Sequence, residues 1–364
     1  MFERSGSELY GYGAGIVLHE ATVRYFRERT TISLDDISVP SRFLRYLDRD
    51  GSVVHEEPSP YRFTAWSTLY RNLETIVGEE RYHRGEALVG FGQDAEGVDL
   101  RFASGRTERS DLLVCADGIL STARHLLLPE VVPSYAGYVA WRGTVDEARL
   151  SSETVAALRD AITYGVIERS HILAYPIPNS EGTLEPRARL VNFVWYRNVP
   201  DGPGLEELMT DRSGFPRPIS LHPGEVQDRY VSELGDAADA LLPPPLAEMV
   251  VRAERPFVQV VVDVEVPRMA FGRVCLIGDA AFAARPHAAA GTAKAAENAW
   301  KLAEAVAEAD GDVVAALERW EPEQLELGRR LVARAREMGE RSQLLGTWAP
   351  GNRTLRFGLY GPGR

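Results

Sequence analysis

The chain has 364 residues, of which 45% are hydrophobic and 26% charged, as in ordinary folded globular proteins. Its formal net charge of −12 argues against a nucleic-acid-binding surface, which needs a basic face. No apolar run approaches the length of a membrane span, and the first residues lack the pattern of a signal peptide. We therefore expect two or more domains, and neither a nucleic-acid nor a membrane partner.

The first third of the chain alternates between helix-like and strand-like segments. In chain order these are a helix at 66–77, a hairpin at 87–91 and 98–102, and a buried strand at 111–116. The helix is predicted from Leu69, Leu73 and Ile76, which recur at helical spacing. The strand is a continuous apolar run that ends at Asp117 and Gly118.

The middle of the chain is rich in β-branched and aromatic residues, with few helix-like segments. Four runs predict strands at 138–145, 171–177, 190–196 and 257–264. This pattern predicts a second domain built on an antiparallel sheet. Tyr175 and Trp195 are candidates to line a pocket on that sheet. Because side chains alternate along a strand, only half of them face it, and the sequence does not decide which half.

The most informative segment is 271–300, in which an apolar run stops at Gly278 and Asp279. A turn of small residues from Pro286 to Gly291 then leads into an Ala-rich helix. In open α/β sheets, ligands bind at the C-terminal ends of the strands, which is where Asp279 would lie. The N–H groups at the start of a helix favour partial negative charge. The combination suits a flavin, because Asp279 accepts hydrogen bonds from sugar-like hydroxyls and the helix start stabilises the pyrimidine edge of an isoalloxazine ring.

Two interpretations of Asp117 and Asp279 are about equally supported by spacing. In one, the two strands join a single sheet and the carboxylates flank one crevice. In the other, both residues are helix caps or turn formers. Ser121 and Arg124, one helical turn beyond Asp117, favour the first interpretation slightly because they suit a phosphate-bearing ligand.

The two cysteines, Cys115 and Cys275, each lie within a strand-like apolar run. Neither has His or Cys neighbours at metal-ligand spacing, so we predict no metal site. We expect both to be small core residues in a reducing cytoplasm.

Several segments resemble motifs of one enzyme family. The sequence DGILSTAR at 117–124 is similar to the DG motif of flavoprotein aromatic hydroxylases, and GDAAF at 278–282, with Pro286 and Gly291, is similar to their GD motif. The segments RPHAAAGTAKA, WRG at 141–143 and PGNRTLRFGL near the end extend the resemblance over nearly the whole chain. By this resemblance the chain is identified as a member of the p-hydroxybenzoate hydroxylase family.

The resemblance implies an α/β fold with a Rossmann-like FAD-binding domain, an inserted antiparallel substrate sheet and C-terminal helices. The implied boundaries are 1–130 and 269–310 for FAD binding, with strands of the substrate sheet near 40–60, then 131–268 for the substrate domain and 311–364 for the C-terminal helix and tail. The implied reaction is hydroxylation of a small electron-rich aromatic or hydroxypyridine ring, such as a dihydroxypyridine. NADH or NADPH would reduce FAD, and dioxygen would react through a flavin C4a-hydroperoxide. Family habit also suggests a homodimer.

The resemblance assigns roles to individual positions. Those assigned to FAD are Glu3, Gly13, Ala14, Gly15, Arg71, Asp117, Arg124, Gly278, Asp279, Pro286, Ala289, Ala290 and Gly291. Pro286 and His287 are expected to line the flavin and the substrate, with a structural donor as an equal alternative for His287. Tyr175 and Trp195 are expected to line the substrate pocket. Arg285 is expected to be a solvated neighbour.

One part of the family pattern is missing from this sequence. Family members begin with a strand, a GxGxxG loop and a helix before the strand that ends in Glu3. That unit supplies a central strand and the N–H donors for the pyrophosphate. We expect that Met1 is a misassigned start or a truncation, and that the native protein has about thirty residues more. The alternative is a cofactor-deficient pseudoenzyme or binding protein.

Other enzymes with the same two motifs are a further alternative. A halogenase or a reductase would share the DG and GD motifs, but the WxWxIP pattern of halogenases is absent. An NAD-dependent dehydrogenase is disfavoured because flavin-type motifs dominate.

Overall fold

The computed structural model describes residues 1–9 and 14–364. Its strands, in chain order, are β1 (Phe2–Glu3), β2 (Gly15–Leu18), β3 (Val39–Leu47), β4 (Val53–Ala65), β5 (His83–Arg84), β6 (Leu88–Gln93), β7 (Val98–Phe102), β8 (Thr107–Ser110), β9 (Leu113–Cys115), β10 (Ser134–Asp146), β11 (Ala161–Ile167), β12 (Ser170–Ile177), β13 (Leu190–Asn198), β14 (Ser220–Leu221), β15 (Phe257–Glu265), β16 (Ala270–Phe271), β17 (Val274–Leu276) and β18 (Phe282–Ala283).

The helices, in chain order, are α1 (Glu20–Arg29), α2 (Leu34–Ile37), α3 (Trp66–Val77), α4 (Thr122–Leu127), α5 (Ser152–Leu158), α6 (Pro203–Leu208), α7 (Asp228–Leu241), α8 (Pro244–Arg252), α9 (Gly291–Ala307) and α10 (Val313–Gln343). The predicted helix at 66–77 is confirmed as α3. The predicted hairpin is confirmed as β6 and β7. In the part of the chain that the structure describes, no helix is both long and apolar enough to cross a membrane.

A large mixed sheet dominates the molecule. Its strand order is β14-β15-β10-β13-β12-β11-β3-β4-β2, with β18 paired to β15. The four strands predicted from the middle of the chain lie in this sheet as β10, β12, β13 and β15, and they pair antiparallel with one another. The sheet departs from the antiparallel prediction at one place, because β11 and β3 run parallel.

Each face of this sheet is covered by a different part of the chain. On one face, Val139, Trp141 and Trp195 pack with helices α7 and α8 in an apolar core. On the other face, Tyr138 and Tyr196 pack with the start of α9, with α10 and with the C-terminal tail. The tail beyond α10 is mostly irregular, as predicted, yet Trp348, Leu355, Phe357 and Leu359 are buried in this second core.

The predicted strand that ends before Asp117 and the one that ends before Asp279 are neighbours. They are β9 and β17, which pair in parallel with Cys115 opposite Leu276. Both carboxylates therefore follow the same edge of a short sheet, as the first interpretation predicted. A second parallel pair, β1 and β5, forms a separate sheet among the described residues.

Both cysteines are buried free thiols in the core around this short sheet. Burial raises the pKa of the Cys275 thiol to about 12, so the group stays protonated and apolar. The prediction that the cysteines are core residues is confirmed.

Candidate active site

A cavity of about 390 Å³ opens between the large sheet and the loop that runs from Gly278 to Thr292. We call it the sheet–loop cavity. From the sheet it is lined by Ala140, Arg142, Leu173, Tyr175, Val194, Tyr196, Gln259 and Val261. From the loop it is lined by Asp279, Ala283, Ala284, Pro286, Ala289, Gly291 and Thr292. Its volume is typical of sites for small organic ligands. A shallower depression of about 730 Å³ lies around α8, and the described residues that line it include none from either motif.

The loop that carries Asp279 is held in place by hydrogen bonds from a buried lysine. Lys294 of α9 donates from Nζ to the carbonyl oxygen of Gly278 at 2.7 Å and also to that of Phe282. Its Nζ lies 3.4 Å from Asp279 Oδ1. Desolvation lowers the pKa of Lys294, while the nearby Asp279 carboxylate raises it. The lysine thus fixes the loop and leaves the carboxylate half-exposed at the cavity.

The start of α9 opens into the same cavity. Pro286–Ala288 forms a 3-10 turn, and Ala289 takes a left-handed conformation with φ of 52°. Among residues 1–9 and 14–364, no side chain caps the first turn of α9. Its N–H groups therefore remain available beside the cavity, where the positive end of the helix dipole favours partial negative charge on a ligand. Pro286, Ala289 and Gly291 line the cavity, whereas Ala290 is buried in the core behind it.

Asp117 and Arg124 serve local structure in the described residues. Asp117 Oδ1 accepts a hydrogen bond from Ser121 Oγ at 2.5 Å, and its Oδ2 accepts one from the Ala123 N–H at 3.1 Å. Ser121 caps α4. Arg124 is buried and donates to the carbonyl oxygens of Ala280, at 3.0 Å, and Ile119. The capping interpretation therefore fits Asp117, although Asp117 also follows the same sheet edge as Asp279.

His287 lies in a buried aromatic cluster behind the cavity lining. Its Nε2 is hydrogen-bonded to Tyr138 Oη at 2.8 Å, and its ring centroid lies 4.4 Å from that of Tyr196. Burial lowers the pKa of His287 well below its usual value. The described lining of the cavity does not include His287, although its chain neighbour Pro286 belongs to it.

Arg285 corrects a prediction from sequence. It is not a solvated neighbour, because its side chain is buried and paired with Asp263, with Nη2 2.9 Å from Oδ2. Asp263 also accepts from Arg336 Nε at 3.1 Å. A charge that leaves water needs such a partner. The pair ties the loop before Pro286 to β15 and α10.

The structure separates the two aromatic residues predicted to line the pocket. Tyr175 lines the sheet–loop cavity. Trp195 does not, so its assignment to the pocket is corrected. It lies on the opposite face of the sheet, fully buried, and its indole N–H donates to Ser170 Oγ at 3.0 Å. Side chains alternate along β13, and its neighbours Val194 and Tyr196 take the cavity side.

The N-terminal candidates fall into two groups. Ala14 and Gly15 line the cavity, and the Gly15 N–H donates to Asn192 Oδ1 at 3.0 Å. Glu3 on β1 accepts from the N–H of Ser5 at 2.8 Å. Arg71 lies on α3, where its Nε donates to the Ser67 carbonyl oxygen at 3.4 Å. Gly13 lies outside the described residues.

Two site residues were missed by the sequence interpretation. Lys294 lies within the Ala-rich segment but was given no role. Arg142 lines the cavity from the WRG segment. A single Lys or Arg carries no spacing signal, so only the fold could bring these residues to one site.

Comparisons with known proteins identify the family. The family described as FAD binding domain-like matches residues 135–263. The chain is 40% identical over 360 residues to 2,6-dihydroxypyridine 3-monooxygenase of Paenarthrobacter nicotinovorans, covering 99% of this chain and 89% of the relative. The chain belongs to the FAD-dependent aromatic hydroxylase family.

Two solved structures share the fold of this chain. The structure of 2,6-dihydroxypyridine-3-hydroxylase from Arthrobacter nicotinovorans superimposes with a TM-score of 0.92 at 39% identity, covering 98% of this chain and 89% of that one. Klebsiella pneumoniae HpxO, solved with FAD and uric acid, has the same fold, with a TM-score of 0.79 at 21% identity over 97% of this chain and 87% of that one.

The residues of this FAD-dependent monooxygenase fit the cofactor. A half-exposed carboxylate, Asp279, stands beside the cavity as an acceptor for hydroxyl groups. The uncapped start of α9 supplies donors for the edge of a ring that gains negative charge on reduction. Small residues such as Ala283, Ala289 and Gly291 leave room for a flat ring. The family uses FAD with NADH or NADPH as the electron donor.

Proposed function

We propose that this chain hydroxylates 2,6-dihydroxypyridine, or a closely similar hydroxypyridine, at ring carbon 3. The observation that carries the proposal is the 40% identity over 99% of the chain to a relative named for that reaction. The overall change is that the ring, dioxygen, NAD(P)H and one proton give the hydroxylated ring, NAD(P)⁺ and water. When bound, FAD would supply the redox chemistry that links NAD(P)H to dioxygen.

The chain's own residues supply position and environment. The apolar side chains of Leu173, Val194 and Val261 cover the sheet side of the cavity and exclude water from a flat ring. The start of α9 offers N–H donors to negative charge on the other side. No nucleophile with an adjacent base is required, because the flavin carries out the oxygen chemistry.

The test begins with an FAD titration of the purified 364-residue chain, followed by flavin absorbance and fluorescence. The FAD-loaded protein is then mixed with 2,6-dihydroxypyridine, salicylate or uric acid, each with NADH or NADPH. We expect the dihydroxypyridine to give the highest kcat/KM and a product that carries one oxygen atom from ¹⁸O₂. Saturable FAD binding without any ring-dependent NAD(P)H consumption would exclude the three substrates tested.

Two further proposals concern the state of the protein. We infer a cytoplasmic location and a homodimer, the first supported by two buried free thiols and the second by family habit alone. Sedimentation velocity at several concentrations tests the dimer, and cell fractionation tests the location.

A further inference from the structure

The guanidinium group of Arg142, on β10, lines the sheet–loop cavity from the side of the large sheet. It lies on β10 between Val194 of β13 and Phe257 of β15 in the strand register. Side chains alternate along β10, so Trp141 packs into the far core while Ala140 and Arg142 line the cavity.

This guanidinium has no carboxylate partner among the described residues. Two other poorly exposed arginines do have a carboxylate partner: Arg285 pairs with Asp263, and Arg189 with Glu147 at 2.9 Å. Arg142 makes no such pair, and its Nε is buried without a hydrogen-bond partner in the part of the chain that the structure describes. A buried donor on a charged group is costly to leave unsatisfied, and an anionic ligand would satisfy it.

The groups that face Arg142 across the cavity are few and chemically simple. Tyr175 of β12 and Tyr196 of β13 present phenols, β15 presents the uncharged Gln259, and the loop presents the Asp279 carboxylate. Burial raises the pKa of both phenols, to about 12 for Tyr196, while the positive charge of Arg142 lowers it. The phenols therefore stay neutral near pH 7, and Arg142 remains the cation on the sheet side of the described lining.

We propose that Arg142 binds the substrate through a deprotonated ring oxygen, so that the site selects a hydroxylated ring in its anionic form. This inference rests on the proposed function and assigns to Arg142 the contact that holds the ring oxygen in the cavity. The proton of the ring hydroxyl is released to solvent on binding. The resulting oxyanion donates electron density into the ring, which makes its ring carbons better nucleophiles toward an electrophilic oxygen.

The proposal predicts a shift in the ionisation of the bound ring. FAD-loaded protein is titrated with 2,6-dihydroxypyridine without NAD(P)H, so that no turnover occurs, and difference absorbance reports the neutral and anionic ring at each pH. We expect the bound ring to ionise at least about one pH unit below the free ring, which corresponds to about tenfold tighter binding of the anion than of the neutral form.

Substitution of the arginine isolates its contribution. We expect Arg142→Gln to lose the shift and to weaken binding of the ionised ring by about tenfold, and Arg142→Lys to keep part of both effects. The matched control is Arg197→Gln, an arginine one strand away that packs over Trp195 on the opposite face, 5.1 Å from the ring centroid. The control is expected to bind the ring like the wild type.

The outcomes separate this inference from the proposed function. If Arg142→Gln binds the ring with wild-type affinity and an unchanged ionisation shift, or changes only the affinity for FAD, the inference is overturned and the proposed function stands. If the wild type binds only the neutral ring but turns it over, the inference alone fails. If the wild type binds no hydroxypyridine at any pH, both fail together.

Discussion

Arg124 Nη1 donates a hydrogen bond to the carbonyl oxygen of Ala280 at 3.0 Å, and so joins two residues that are 156 positions apart. Arg124 belongs to the DG segment and Ala280 to the GD segment. A second donation, to Ile119, holds the guanidinium in place. The DG segment and the GD segment are therefore structurally coupled, because Arg124 of the first holds the loop of the second that carries Asp279.

Removal of this link is expected to loosen the FAD site. Arg124→Met deletes both donors and removes the hydrogen bonds to the buried carbonyl oxygen of Ala280 and the partly buried one of Ile119, which costs about 2 kcal/mol in the free energy of unfolding. The dissociation constant for FAD should rise at the same time. Urea denaturation and FAD titration measure the two effects. Arg27→Met serves as the control, since Arg27 pairs with Glu20 on the exposed surface of α1. Equal free energies of unfolding for Arg124→Met and Arg27→Met would show that the Arg124 hydrogen bonds do not stabilise the fold.

The buried carboxylate of Asp263 is expected to matter more for stability than any exposed ion pair. Asp263→Asn keeps the side-chain shape but leaves Arg285 buried without a counter-charge, which costs about 3–5 kcal/mol. The control is Glu207→Gln, which breaks an exposed pair with Arg229 and should cost less than about 1 kcal/mol. Urea denaturation of both variants, with midpoints and m-values compared with those of the wild type, measures the two losses in the free energy of unfolding. A loss below about 1 kcal/mol for Asp263→Asn would mean that water reaches Arg285.

Sequence reasoning succeeded where a pattern is local. The bounds of α3 follow from apolar spacing, and the strand that ends at Asp279 follows from a continuous apolar run. It failed where partners come from distant segments. Arg285 looks solvated beside its chain neighbours, yet its partner Asp263 arrives from β15. Trp195 could face either side, because alternation gives the period of a strand and not its orientation.

The resemblance carried the rest of the family interpretation, and its limits are also physical. The resemblance assigned Arg124 to the cofactor, whereas its side chain donates hydrogen bonds to two main-chain carbonyl oxygens. It gave no role to Lys294, whose effect depends on a loop that folds back over α9. The predicted domain boundaries and the unit expected before Met1 stay predictions.

Two buried histidines are expected to make the stability fall in acid. Burial lowers the pKa of His171 to about 3 and that of His287 well below its usual value, so both are neutral in the folded chain. The unfolded chain binds protons below about pH 6.5, and stability present above that pH is lost as the pH falls towards about 3. Each histidine contributes a slope of up to about 1.4 kcal/mol per pH unit.

His171→Gln isolates one of these slopes. His171 Nδ1 is hydrogen-bonded to Ser342 Oγ at 2.5 Å, and glutamine retains a hydrogen-bonding group that does not titrate. We expect the curve of unfolding free energy against pH, between pH 6 and 4, to become shallower by the equivalent of one proton. His125→Gln, at an exposed position on α4, should leave the slope unchanged. A His171→Gln curve parallel to that of the wild type would contradict the expected proton uptake.

Two helical glycines offer a test of how closely α10 approaches the cavity wall. A Cβ added at Gly339 would lie 2.3 Å from Tyr138 Oη and 3.1 Å from His287 Cδ2. A Cβ added at Gly235, within α7, meets nothing within 4 Å. In an unobstructed helix, alanine is more stable than glycine by about 1 kcal/mol, because glycine loses more backbone freedom on folding.

The same substitution is therefore expected to have opposite effects at these two positions. Gly235→Ala should raise the free energy of unfolding by about 0.5–1 kcal/mol. Gly339→Ala should lower it by about 1–3 kcal/mol, because the methyl group displaces Tyr138 from His287 in a close-packed core. Urea denaturation of both variants measures the signs. The displaced phenol is hydrogen-bonded to His287, the chain neighbour of Pro286, so ring binding in the sheet–loop cavity should weaken in Gly339→Ala alone. A stabilised Gly339→Ala variant would show that α10 can move away from the sheet without cost.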